Sequence, residues 1–244
     1  LESFYRPLYE ANIAVDFARP ADDLSAYRLV VAPSLYLVTD EAAANLAAFV
    51  NSGGTLLMSF FSGIVDPNDH VRTAGYPQPF RELLGLEVID FNPLPVGQSI
   101  ELQFAGGGHG RGEVWSELIE TAGANVLATF VGTELDRRPV ATRHAYGKGV
   151  AFYVGTLPDA AAMERLLSEA CAQSGIEAPS LPEGIESVRR QGRGRSLLFL
   201  LNHRDEGVDV PVTEPGRNLL NGSEVHRGLV RIGPRGVAVI QEGW

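Results

Sequence analysis

The chain runs to 244 residues, 45% of them hydrophobic and 20% charged, which suits a soluble globular protein with room for one large and one small domain. Its formal net charge of −10 argues against nucleic acid or an anionic membrane as the main partner, and no apolar run approaches the roughly 20 residues of a membrane helix. The lone Cys171 excludes an internal disulfide and fits a reducing, cytoplasmic compartment. Leu1 is not an initiator methionine and reads as an internal cut or a processed end.

Leu1, Phe4, Tyr5, Leu8 and Tyr9 fall on one face of a helix over 1–11, and the alternation of Ile13, Val15 and Phe17 predicts a first strand. The stretch from Tyr27 to Asp66 then reads as a complete parallel crossover. Leu29 to Ala32 is an uninterrupted apolar run closed by Pro33, the pattern of a strand buried on both faces. Thr39, Asp40 and Glu41 place a capping oxygen and negative charge at a helix start. Ala43, Leu46, Ala47, Phe49 and Val50 follow at helical spacing, and Gly53-Gly54 supplies the exit. Thr55 to Met58 is the second strand. Such a unit closes right-handed, and the loops leaving the carboxyl ends of its strands carry the site where one exists. Those loops are Ser34 to Val38 and Ser59 to Tyr76. The longer stretch, Phe61 to Gln78, is the kind of loop that forms sites or interfaces.

Further on, Pro79 to Leu84 predicts a short helix stopped by Gly85, with strands over Leu86 to Phe91 and Ser99 to Phe104. The glycine-rich run Gly106 to Gly112 reads as a flexible connector, and Val114 to Phe130 as strand mixed with turn. Pro139 to Ala145 and Gly149 to Gly155 form a hairpin about Tyr146 to Lys148. Asp159 caps a last helix whose apolar face is Met163, Leu166, Leu167, Ala170 and Cys171, ended by Gly175. Pro179 to Gly184 is the domain boundary, giving an α/β domain over 1–180 and a β domain over 185–244. In the latter, Arg189 to Arg195 predicts a hairpin turn, Ser196 to Leu201 a strand, and Asn221-Gly222 a type I′ turn. Val237 to Ile240 closes a small antiparallel sheet.

The wording of several ordered blocks carries a resemblance. DLSAYRLVVAPSLYLVTDEAAANLAAFVNSGGTLL, then FFSGIVDPNDHV, PFRELLGLEVIDFNPL and RHAYGKGVAFYVGTLPD, is similar to the middle, trimerisation domain of the glycoside hydrolase family 42 β-galactosidases. The tail LLFLLNHRDEGVDVPV resembles that family's small C-terminal β domain. The order strand, helix, strand and turn is itself similar to the flavodoxin-like and class I glutamine amidotransferase architectures, so the expected fold is α/β, a mostly parallel sheet flanked by helices, followed by a small antiparallel β domain. The family resemblance implies assembly into a homotrimer through the middle domain, by the heterologous contacts of a cyclic trimer. The family places its catalytic (β/α)8 barrel before this region, and the chain opens without it. The whole enzyme would cleave terminal β-D-galactosides with retention through barrel glutamates, so galactoside is a partner through the barrel and no cofactor is expected.

The residues themselves offer little independent chemistry. No Asn-Glu dipeptide of the kind that carries the family's acid/base glutamate occurs. An amidotransferase-like nucleophile would need a sharp turn framed by glycines, and Met58-Ser59-Phe60-Phe61-Ser62-Gly63 lacks the frame around Ser59. Cys171 lies on the apolar face of a helix and reads as a small core residue. His70, His109, His144, His203 and His226 lack ligand spacing, and Asp66, Asp69 and His70 read as a solvated polar loop. Gly106 to Gly112 and Gly147-Lys148-Gly149 fit no phosphate-binding pattern and read as turns. The cluster Arg189, Arg190, Arg193 and Arg195 reads as a solvated hairpin tip. A stand-alone carbohydrate-binding module would use Trp115 or Trp244 for stacking. The remaining candidate is the loop from Phe61 to Tyr76, in which Asp66, His70, Arg72 and Tyr76 would wall a pocket or form an interface with a barrel.

Overall fold

The computed structural model describes residues 1–132 and 134–243. The chain divides into two units, Leu1–Pro7 with Phe17–Ile176 and Leu8–Asp16 with Glu177–Trp244, so the boundary passes through the first helix.

In chain order the first unit contains α1 (Glu2–Glu10), which continues into the second unit, then β1 (Leu29–Ala32), α2 (Asp40–Asn51) and β2 (Thr55–Ser59). A 3-10 turn (Gln78–Phe80) runs into α3 (Arg81–Leu84), followed by β3 (Leu86–Pro93), β4 (Ser99–Phe104) and β5 (His109–Thr121). Then come β6 (Asn125–Val131), β7 (Pro139–Tyr146), β8 (Gly149–Val154), β9 (Thr156–Pro158) and α4 (Ala160–Gln173). The strands form one nine-stranded sheet in the order β1-β2-β8-β7-β6-β4-β5-β3, with β9 on β5.

The α/β fold expected from the crossover is present. β1 lies parallel to β2, from Leu29 opposite Thr55 to Ala32 opposite Met58, and β2 lies parallel to β8, from Thr55 opposite Val150 to Ser59 opposite Val154. Beyond β8 the sheet continues through antiparallel pairs. Every residue of β2 is buried, which is why its sequence is apolar without alternation. Thr39 caps α2 by accepting from the Ala42 amide, and Asp159 caps α4 by accepting from that of Ala162. Leu46, Phe49 and Val50 of α2 pack with Leu56, Met58, Phe80 and Tyr153 in the core of this unit.

Three local expectations are corrected. Ile13 to Phe17 form no strand: Asn12 turns the chain at φ 58, and no described strand pairs with these residues. Phe17 instead stacks on Tyr5 at 5.8 Å. The Gly106 to Gly112 run is not a connector throughout, because β5 begins at His109. A Cβ at Gly110 would lie 2.7 Å from that of Ala162, and one at Gly112 would lie 2.5 Å from Thr156 Oγ1, so these glycines admit α4 and β9 against the strand. The third correction falls in the second unit. Asn221-Gly222 is not a two-residue turn but part of the loop 219–223, in which Gly222 has φ 74 and Asn221 is not left-handed.

The second unit holds β10 (Ile185–Gly192), β11 (Arg195–Asn202), β12 (Val208–Val212), β13 (Gly216–Asn218), β14 (Glu224–Val225), β15 (Gly228–Ile232) and β16 (Val237–Glu242). They form a five-stranded sheet, β10-β11-β16-β13-β14, and a two-stranded one, β12-β15. Here the two-residue hairpin is Arg193-Gly194, with φ 50 and 74, inside the predicted turn. Leu200, Val210, Ala238 and Ile240 are its buried centre.

Candidate functional site

The carboxyl ends of β1 and β2 meet in a frame built from two serines. Ser59 Oγ accepts from the Ser34 amide at 2.8 Å, and Ser62 Oγ accepts from the Leu35 amide at 2.9 Å while donating to Ser59 O at 2.7 Å. Ser59 and Ser62 are buried at 0% and 1% exposure. The frame holds two residues in the left-handed region, Ser34 at φ 42 and Phe61 at φ 58, so that both chains turn sharply on leaving the sheet.

That turn projects Phe61 into a group of half-buried rings. Phe61 stacks on Tyr36 at 5.2 Å and meets Trp115 edge-on at 4.8 Å. Trp115 stacks with Phe91 at 5.0 Å and with Phe60 at 6.2 Å, and Tyr76 meets Phe91 edge-on at 6.1 Å. Tyr36 and Leu37 remain exposed on the adjoining loop. Beneath the rings lies Glu117 of β5, 2% exposed. One carboxyl oxygen accepts from the Phe61 amide at 3.0 Å and the Trp115 indole at 3.2 Å, and the other from the Tyr153 hydroxyl at 2.6 Å. Burial pushes the Glu117 carboxyl above its usual range despite these three donors, and burial beside Glu117 pushes the Tyr153 hydroxyl well up.

The predicted loop residues lie beside this face, each with a bond of its own. Asp66 Oδ1 accepts from the amides of Asn68 and His70, at 2.8 and 3.0 Å, and its other oxygen faces His70 Nδ1 at 3.4 Å. Those bonds, the His70 amide first, hold the Asp66 carboxyl below its usual range. Arg72 is a strut: its guanidinium donates to Val38 O, Asp40 Oδ1 and Gln78 Oε1 at 2.9, 2.8 and 3.0 Å. Tyr76 is the member of the four that joins the rings, and its carbonyl accepts from the Val88 amide.

Ser59, the alternative nucleophile, is fully buried with its oxygen committed to the Ser34 amide, so no substrate reaches it. Cys171 is a buried core residue whose thiol burial pushes up. The histidines are separate: His109 pairs with Glu101, His144 bonds Leu83 O and His203 pairs with Glu186. Among the described residues no group of three or more His, Cys, Asp or Glu side chains could hold a metal ion. Trp115, offered for sugar stacking, has its ring engaged by Phe60, Phe61 and Phe91, while Trp244 lies outside the described residues. Among the described residues no helix is long and apolar enough to cross a membrane.

Sequence reasoning passed over Glu117, Phe91 and Tyr36. The signal for Glu117 was present: in Glu117-Leu118-Ile119 a carboxylate shares the inward register with a core isoleucine, an arrangement that requires donors.

Fold and site together describe an α/β domain that presents an organised aromatic face, joined to a small β domain. Residues 1–177 match the family model of the β-galactosidase trimerisation domain, and residues 184–242 match that of the β-galactosidase C-terminal domain. The chain belongs to the β-galactosidase trimerisation-domain family. It is 41% identical over 246 residues to β-galactosidase BgaB of Geobacillus sp. (strain Y412MC61), covering 99% of this chain and 36% of that protein. To a β-galactosidase of Arthrobacter sp. it is 41% identical over 244 residues, covering 99% of this chain and 34% of that one. The crystal structure of the β-galactosidase from Bacillus circulans sp. alkalophilus superposes with a TM-score of 0.93 at 31% identity, covering 99% of this chain and 37% of that chain. The chain thus spans a little over a third of the length of these relatives.

Proposed function

We propose that this chain is the non-catalytic assembly and C-terminal portion of a cytoplasmic β-galactosidase. The full-length enzyme hydrolyses terminal β-D-galactosides with retention and works as a homotrimer. Residues 1–180 form the assembly domain and 185–244 the accessory β domain. Hydrolysis belongs to a (β/α)8 barrel, where paired carboxylic acids about 5–5.5 Å apart flank the sugar. The observation that carries this reading is the ordered match of both domain families along one chain, together with whole-chain superposition on a β-galactosidase. In the same reading, the loop from Phe61 to Tyr76, shaped by Asp66, His70 and Arg72 and anchored by Tyr76, contacts a barrel and helps wall the galactoside pocket.

A chromogenic galactoside assay tests both parts. The 244-residue chain is expected to give no hydrolysis above buffer, while the same chain joined to a family barrel gives full turnover. In the joined protein, Asp66→Ala with His70→Ala is expected to raise KM or reduce trimer formation. Saturable hydrolysis by the chain alone refutes the assembly reading. Unchanged kinetics and unchanged association in the double variant refute the loop's part in it.

A further inference from the structure

We propose that Glu117 is a positioning residue: its carboxyl group presets the aromatic face by holding the Phe61 peptide and the Trp115 indole in one arrangement. Assigning that face a use in meeting another part of a β-galactosidase rests on the preceding reading. The arrangement itself does not.

A carboxyl group in the middle of a strand at 2% exposure is costly to bury, and among the described residues no ion pair compensates it. A leucine would fill the same space beside Ile119 without that cost. What the glutamate adds is acceptors, and they are spent on three separate elements: the segment leaving β2, β5 itself, and β8. The Phe61 bond matters most. A bulky residue at φ 58 is strained and persists only where its surroundings over-determine it. The preceding amide is already fixed, Phe60 to Val154 O at 2.7 Å, as is that of Gly63 two residues further on, to Leu35 O at 2.8 Å, while the Phe61 amide goes to Glu117 at 3.0 Å. Rotating that peptide would withdraw the Phe61 ring from Tyr36 and Trp115 together. The neighbouring backbone is shaped to receive the carboxyl group: a Cβ at Gly155 would lie 3.2 Å from Glu117 Cβ and 2.9 Å from Ile119 Cδ1.

A residue that merely supported the core would affect global stability without a selective effect on the rings, and the test separates the two. In the full chain carrying Trp244→Phe, Trp115 is the sole indole. Glu117→Gln keeps an oxygen for Phe61 and Trp115, whereas Glu117→Leu keeps volume and removes both acceptors. The expected result is a wild-type near-UV circular dichroism band from Trp115 in the glutamine variant. The leucine variant should lose most of that band, with acrylamide quenching raised severalfold and the far-UV spectrum unchanged. Tyr153→Phe, which removes only the bond to the other oxygen, is expected to lower the thermal midpoint and leave the Trp115 band in place. The proposal is overturned if the leucine variant keeps its band, if the glutamine variant loses as much as the leucine variant, or if Tyr153→Phe abolishes it. Should the leucine variant fail to fold, hydrogen exchange in the unsubstituted chain decides: a strongly protected Phe61 amide supports the proposal, and exchange at the rate of an open loop overturns it.

Discussion

Glu117 and Glu242 are both buried carboxyl groups, and their surroundings push them in opposite directions. Glu242 also suffers burial, but Arg189 donates to both of its oxygens at 2.9 and 2.8 Å and Ser196 to one at 2.6 Å, so its carboxyl ends below the usual range. Glu117 has donors but no cation, and burial prevails. A lowered folded pKa gives stability that is present above the unfolded value of 4.5 and is lost as pH falls through the folded value. A raised one gives the reverse: the contribution is fullest below 4.5 and declines as pH rises through the folded value. Glu242→Gln is therefore expected to cost about 2 kcal/mol at neutral pH and progressively less in acid. Glu117→Gln is expected to gain on the wild type as pH rises. Denaturant unfolding at neutral pH and below pH 4.5 checks both signs, and parallel curves for wild type and variants would contradict them. At this scale the sequence revealed residue types but not partners. The inward register of Glu117 is readable from the strand, but its bonds to Phe61 and Tyr153 span 56 and 36 residues and depend on the sheet order.

At the scale of elements, the β1-α2-β2 crossover was readable because its causes are local: an apolar run, a capping threonine, a helical stripe and a glycine exit. The first predicted strand failed because alternation alone does not supply an edge to pair with, and Phe17 found Tyr5 instead. The glycine run was misread because its glycines answer to α4 and β9, which lie far along the chain. Gly149 shows how tight such approaches become. A Cβ there would lie 2.2 Å from both Gly54 O and Val50 O, backbone atoms at the exit of α2 that cannot swing aside. Gly149→Ala is expected to destabilise by about 3 kcal/mol, as overpacking against backbone does. A thermal midpoint within error of the wild type would show that the α2 exit shifts freely. The same reasoning explains why the loop 61–76 was only half legible. Its length marked it, yet whether Asp66, His70 and Arg72 face outward or brace the loop depends on bonds to Val38 and Asp40, which composition does not reveal.

For the whole molecule, the proposed division of labour is between holding and cutting. The two matched domain families support the proposal that this chain does the first, and the aromatic face at the carboxyl ends of the parallel strands is its proposed location. Partly exposed aromatic clusters are the groups from which interface hot spots are drawn, since they bury large area at small entropic cost. The long-range resemblance was legible in ordered blocks of wording, whereas the face itself was not, because its rings come from five separate segments of the chain. The most direct measurement is the sedimentation-equilibrium mass of this chain joined to a family barrel, beside that of the barrel alone. If this chain holds the subunits together, the joined protein has the mass of three copies and the isolated barrel that of one. A trimeric barrel without these residues, or a monomeric joined protein, would contradict that role.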